Sequence, residues 1–126
     1  MRIVFATSEA NPYIKSGGLA DVLGSLPKAL VQKGHECIVV LPKYQDMKLA
    51  DTLEYVTNYD IWVGWRKCYC GVFKAEYDGV TYYFIDNEQY FRRPGLYGYD
   101  DDNERFAYFD FAVLELLSHI DIKPDI

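Results

Sequence analysis

The sequence predicts an α/β fold, in which helices pack on a mostly parallel sheet that also includes an antiparallel hairpin. Three observations support this prediction. The apolar runs 2–7 and 37–41 are rich in β-branched residues, as is typical of strands buried on both faces. The segment between them has apolar residues at helical spacing. Asp78-Gly79, which separates two further apolar runs, is a strong signal for a two-residue hairpin turn.

The first helix is predicted between the two buried strands. Its apolar residues recur every three or four positions, so we expect one face to pack on the sheet: Leu19, Val22, Leu23, Leu26 and Leu30. Pro27 predicts either a kink or the first turn of a second helical segment behind Ser25. Gly34 suits the end of the helix, and Pro42 stops the strand that follows. Together these elements form a βαβ unit.

The middle of the chain predicts strands of another kind. Residues 54–63 and 69–77 alternate loosely between apolar and polar side chains. The second of these runs and residues 80–85 flank the Asp78-Gly79 turn. We therefore expect an antiparallel hairpin whose second strand joins the main sheet.

The last third predicts a loop at 92–103, whose acidic cluster caps a final helix over about 103–118. The buried stripe of that helix is expected to contain Phe106, Phe109, Val113, Leu116, Leu117 and Ile120. Residues 123–126 read as the approach to another strand. We therefore expect the chain to be a fragment of a longer protein.

Composition excludes several classes of function. The 126 residues are enough for one domain with a core. A net charge of −6 argues against a nucleic-acid binder, which would carry a basic face. No membrane span or secretory signal is found, so a cytoplasmic location is expected. The spacing of Cys68 and Cys70 fits neither a zinc knuckle nor a redox pair, so reduced thiols in strands are expected, as for Cys37.

The loop between the first strand and the first helix predicts an anion site for a phosphate or pyrophosphate. Backbone amides and the helix dipole face such a loop, and Gly17 and Gly18 would let a ligand oxygen approach closely. Lys15 would add about 1.5–3 kcal/mol, more than the roughly 0.3–1 kcal/mol of the helix end. Glu9 and Asn11 lie beside the loop and are additional candidates. The alternative is an ordinary turn with a solvated lysine.

The stretch KSGGLADVLGSLPKAL resembles the N-terminal signature of bacterial glycogen synthases and plant starch synthases. The resemblance continues in order along the chain, with residues 46–75 least distinctive, through GHECIVVLPKY, YYFIDNEQYFRRPGLYG, DDNERFAYFDFAVLELL and KPDI. It implies that residues 1–126 are part of a Rossmann-like three-layer N-terminal domain in a GT-B glycosyltransferase, whose C-terminal domain is absent from this chain.

The family resemblance implies an activity and a set of binding residues. Family members transfer glucose from ADP-glucose to the non-reducing end of an α-1,4-glucan with retention of configuration, and UDP-glucose stays open as donor. The implied donor-binding residues are Lys15, Gly17, Gly18, Asp21 and Tyr97. Tyr99 is the alternative to Tyr97 because the loop length varies. No metal, no cofactor and no catalytic residue within the chain are implied, so the chain alone is expected to be inactive.

Two other functions are weighed against this one. A NAD-dependent oxidoreductase is disfavoured because the chain lacks GxGxxG and its second strand ends without an acidic residue. A non-catalytic glucan-binding or regulatory module on the same scaffold is the other alternative.

We also expect that the open edge of the sheet pairs with a second copy of the chain.

Overall fold

A computed structural model describes residues 1–126, and in it five strands form one open sheet with helices packed against it. The elements in chain order are β1 (Arg2–Ala6), α1 (Gly18–Gln32), β2 (Glu36–Pro42), a 3₁₀ turn (Ala50–Thr52), β3 (Glu54–Val63), β4 (Arg66–Tyr77), β5 (Val80–Asp86), α2 (Glu88–Phe91) and α3 (Asp102–His119). No helix is both long enough and apolar enough to cross a membrane.

The strand order is β1-β2-β5-β4-β3, with the first three strands parallel and the last two antiparallel. The predicted hairpin is confirmed as β4–β5, and its second strand joins the main sheet beside β2. Asp78 and Gly79 form its turn with φ of 53° and 79°, as a two-residue turn of type I′ requires. A second hairpin joins β3 to β4.

Strand register places the helix α3 and the loop before α1 on opposite faces of the sheet. Tyr59 lies opposite Cys70 and donates a hydrogen bond to the Ala112 carbonyl of α3 at 2.8 Å. Phe84 lies opposite Phe73 in β4, three residues from Cys70, and so on the other face. The ring of Tyr13, in the loop before α1, packs against Phe84 at 4.9 Å between centroids.

The predicted sheet-facing stripe of α1 is largely wrong. Leu19, Val22 and Leu26 are exposed, whereas the buried positions are Ala20, Leu23 and Pro27. Apolar side chains cover more than one side of this helix, so their spacing could not select the face that packs. A second segment starting at Pro27 is also wrong, because α1 runs unbroken through it.

The other local predictions hold in most respects. In the predicted stripe of α3, Phe109, Val113 and Leu116 are buried and the remaining three residues pack partly against the core. All three cysteines are free and buried, in β2 and β4.

The last residues of the chain lie along the free side of β1. The amide of Asp125 donates to the Arg2 carbonyl at 2.8 Å, and the amide of Val4 donates to the Ile126 carbonyl at 2.9 Å. The other edge of the sheet is β3. Self-association through an open edge stays a prediction.

Candidate functional site

The candidate site lies where the loop after β1 enters α1. The loop leaves the carboxyl end of a parallel strand, the edge at which open α/β sheets bind ligands. Of the five residues that the resemblance implied, Lys15 and Gly17 lie in the loop and Gly18 and Asp21 lie in the first turn of α1. The fifth, Tyr97, reaches the loop from a distant part of the chain. The structure therefore brings the whole predicted set together.

The buried carboxylate of Glu9 holds this loop in place through hydrogen bonds. Its side chain is only 2% exposed. Oε1 accepts hydrogen bonds from the backbone amides of Gly17 at 3.0 Å and of Ser16 and Ala20 at 3.3 Å. Oε2 accepts from the Ser16 hydroxyl and from the Tyr97 hydroxyl, both at 2.6 Å. One carboxylate thus holds the loop, the first turn of α1 and a side chain from far along the sequence.

The environment of Glu9 strongly favours its ionised form. Burial alone would raise the pKa of this carboxyl. The hydrogen bonds from Ser16, Tyr97 and Gly17 outweigh burial and lower the pKa to about 2. Glu9 is therefore a fixed negative charge at neutral pH, whose role sequence reasoning missed. The signal for this role in the sequence was the position of a glutamate between the end of a strand and a glycine-containing loop.

Lys15 points outward from the same loop and pairs with Asp21. Its Nζ lies 2.8 Å from both carboxylate oxygens, and Asn11 donates to one of them at 2.7 Å. The hydrogen bond from Lys15 lowers the pKa of Asp21. Both side chains of the pair are about half exposed, at 50% and 54%. Because such an exposed pair contributes little stability, an incoming phosphate can compete for the lysine.

Several backbone amides at the start of α1 have no hydrogen-bond partner. Glu9 takes the amides of Gly17 and Ala20, whereas those of Gly18 and Leu19, two exposed residues, make no hydrogen bond within the chain. The helix has no side-chain cap at Gly17. These amides and Lys15 can together hold an anion.

The fold itself does not require glycine at either position. A Cβ built on Gly17 or Gly18 meets no atom within 4 Å, and neither residue has a positive φ. Gly24 in the same helix is different, because its Cβ would lie 2.8 Å from the Cβ of Asn11. Close approach of a ligand therefore explains Gly17 and Gly18 better than packing does.

The structure separates the two candidate tyrosines. Tyr97 is half-exposed beside the loop, and its hydroxyl lies 2.6 Å from both Glu9 Oε2 and Ser8 Oγ. Tyr99 instead bonds to the Pro94 carbonyl and stacks on the guanidinium groups of Arg93 and Arg105, so only Tyr97 adjoins the site.

Arg105 holds the loop that presents Tyr97, and sequence reasoning missed it. The side chain is fully buried at 0% exposure. It donates to the carbonyls of Tyr90 at 2.7 Å and Leu96 at 3.1 Å, and to Asp102 at 2.7 Å. Its only sequence signal is a position directly before the apolar stripe of α3.

The acidic cluster does not cap α3 as predicted. Asp101 stands at the N-cap but accepts no capping hydrogen bond. Its carboxylate is held by Arg93 through two bonds of 2.7 and 2.9 Å. Glu104 similarly accepts from an arginine, Arg66, at 2.8 Å. The acidic residues bind arginines because tertiary packing brings those cations to them.

A surface cleft opens beside the loop and extends the candidate site. Three separate segments of the chain line it: Asn11, Pro12, Tyr13, Ile14, Lys15, Ser16, Asp46, Lys48, Gly95 and Leu96. The Gly95 amide donates to Asp46 at 2.7 Å, and the Lys48 amide donates to the Tyr13 carbonyl at 2.7 Å. Hydrogen bonds thus join the walls of the cleft.

The chain is similar to known proteins along its whole length. Residues 2–126 match the family described as starch synthase catalytic domain. The chain is 53% identical to a glycogen synthase of Clostridium botulinum and 56% identical to one of Clostridium perfringens, over 100% of its length. It spans 27% of the length of each of these relatives.

A solved structure has the same fold. The catalytic domain of starch synthase IV from Arabidopsis thaliana, bound to ADP and acarbose, superposes with a TM-score of 0.89 at 34% identity. The match covers 98% of this chain and 26% of that one. The five-stranded open sheet is therefore part of a GT-B fold.

Proposed function

This chain belongs to the starch synthase catalytic domain family, and we propose that the protein containing it transfers glucose from ADP-glucose to the end of an α-1,4-glucan. The supporting observation is the start of α1, where Lys15 is half exposed and the amides of Gly18 and Leu19 make no hydrogen bond within the chain. The relatives named glycogen synthase support the same reaction class. Membership in this family leaves no support for the oxidoreductase alternative.

The proposed chemistry follows from where charge develops. Breaking the bond between glucose and the diphosphate leaves negative charge on the departing oxygen while the sugar becomes cationic. Lys15 and the outward amides are preorganised donors for that charge, and the competing Asp21 is held only by exposed contacts. Binding of the diphosphate is expected to draw Lys15 from Asp21. The half-exposed ring of Tyr97 is placed to contact a sugar.

The test is incorporation of labelled glucose into glycogen by the complete natural protein, with ADP-glucose and UDP-glucose compared as donors. We expect Lys15→Met to reduce incorporation about 10- to 100-fold, the loss of one charge-assisted contact. Lys28→Met is the matched control, because Lys28 also pairs with an aspartate, Asp78, and is 47% exposed. It should keep wild-type activity.

Each other outcome has a distinct meaning. Incorporation from UDP-glucose alone would replace the proposed donor. A folded wild-type protein that binds glycogen but transfers no glucose would favour the non-catalytic glucan-binding module. The 126-residue chain alone is proposed to be inactive, and turnover by it above a Lys15→Met control would contradict this.

A further inference from the structure

We propose that Glu9 is a positioning residue, whose buried carboxylate fills the inner part of the anion-binding loop and leaves its outer part for the diphosphate. The inference rests on the proposed function and adds to it which backbone groups the ligand uses. Lys15 and the amides of Gly18 and Leu19 form the outer part. The amides of Ser16, Gly17 and Ala20 form the inner part.

Several hydrogen-bond donors converge on one oxygen of Glu9. Three backbone amides meet Glu9 Oε1 within 3.3 Å, an arrangement that the start of a helix commonly offers to an external anion. Here the chain supplies the anion itself, from a residue eight positions before Gly17. The loop conformation is therefore set before any ligand binds.

The charge of Glu9 excludes a second anion from the inner amides. A phosphate oxygen cannot share these amides with Glu9, because two negative charges in contact at a poorly solvated site repel strongly. Glu9 is 2% exposed and cannot swing into solvent without breaking its five hydrogen bonds. The diphosphate is accordingly directed to the outer donors.

Glu9 is also linked to Tyr97, which lies 88 residues away in sequence. Its hydroxyl donates to Glu9 Oε2, so the carboxylate fixes the tyrosine and the loop relative to each other. Removing the carboxylate should therefore release both sides of the site at once. A residue that only stabilised the loop backbone would leave Tyr97 in place.

The experiment is chemical rescue of Glu9→Ala in the complete natural protein, with ADP binding measured by calorimetry. We expect ADP to bind about 10- to 100-fold more weakly, since misplaced donors lose alignment with the ligand. Added formate should occupy the space that the Glu9 carboxylate has left beside the inner amides and restore much of the affinity for ADP. Chloride at equal ionic strength should not, because a sphere cannot reproduce two carboxylate oxygens. Glu36→Ala, which removes an exposed glutamate paired with Arg2, should bind ADP as wild type does.

Wild-type affinity in folded Glu9→Ala would overturn the inference, as would weakened binding that formate does not improve. If Glu9→Ala does not fold, Glu9→Gln keeps the side-chain volume and is tested in the same way. Weaker ADP binding by Glu9→Gln would support the inference, and wild-type binding would overturn it. If Lys15→Met loses ADP binding while both Glu9 variants bind ADP as wild type does, the proposed function stands and this inference is overturned. Normal binding in all three would count against both.

Discussion

The two long helices of this protein begin with different arrangements of charged side chains around their first backbone amides. At the start of α3, Asp101, Asp102 and Glu104 are each held by an arginine, and none caps the backbone. At the start of α1, one carboxylate, Glu9, reaches in from outside the helix and takes only part of the available amides. The remainder faces the surface beside Lys15.

This difference shows what makes a helix terminus usable as a binding site. Both termini offer amides and a positive dipole end. At α3, the neighbouring arginines are 0–36% exposed and already paired with acidic side chains, so an anionic ligand finds no readily available cation. At α1, the single internal carboxylate shapes the loop and leaves a neighbouring lysine and two amides available. A binding site therefore depends on which donors the fold leaves unused.

The largest effect is expected from breaking the network of arginine contacts at the start of α3. Arg105→Leu should reduce the free energy of unfolding by about 3–5 kcal/mol, because it leaves Asp102 and two buried carbonyls without their donor. Urea denaturation measures the change. Arg92→Leu, which removes an exposed arginine paired with Glu88, is the control and should have little effect. Equal losses in the two variants would refute the importance assigned to burial.

The internal carboxylate of α1 should give a distinct pH dependence. The pKa of Glu9 is lowered from 4.5 to about 2, so its contribution to stability is present above about pH 4.5 and disappears as pH falls toward 2. The stability difference between wild type and Glu9→Gln should therefore shrink by about 3 kcal/mol over this range. Denaturant titrations at several pH values test this, with Glu36→Gln as control. A difference that does not vary with pH would contradict the assignment.

The glycines of α1 should separate binding from folding. Gly24→Ala should destabilise the protein by about 1–3 kcal/mol, because the new Cβ would overlap Asn11. Gly18→Ala should leave stability within about 0.5 kcal/mol of wild type and weaken ADP binding. Thermal unfolding and calorimetry give the two quantities. Undiminished ADP binding by Gly18→Ala would remove the close approach proposed for this glycine.

The smallest effect on stability is expected at the surface pair of α1. Asp21→Asn removes the negative charge paired with Lys15, but both side chains are half exposed, so water solvates the lysine instead. The unfolding midpoint should stay close to that of wild type, well within the shift caused by Gly24→Ala. A larger loss would mean that the Lys15–Asp21 pair is a structural element and that a phosphate cannot readily displace it.

Local sequence patterns predicted much of this architecture because their causes are local. The Asp78-Gly79 turn requires two residues that tolerate positive φ, and the strands around it followed. The segment from Lys15 to Gly18 could be predicted as an anion site because it places a cation and two glycines directly beside a helix N-terminus. The packed face of α1 was mispredicted, since apolar spacing defines a period and leaves its phase relative to the sheet undetermined.

Sequence alone thus determined the family and the order of most elements and predicted where the candidate site lies, because short motifs and chain periodicity carry that information. Tertiary structure alone decided that Glu9 fills the inner loop, that Tyr97 joins it and that Arg105 is buried beneath the neighbouring loop. These contacts join residues far apart along the chain. Which donors stay free for a ligand depends on packing, and no local pattern encodes it.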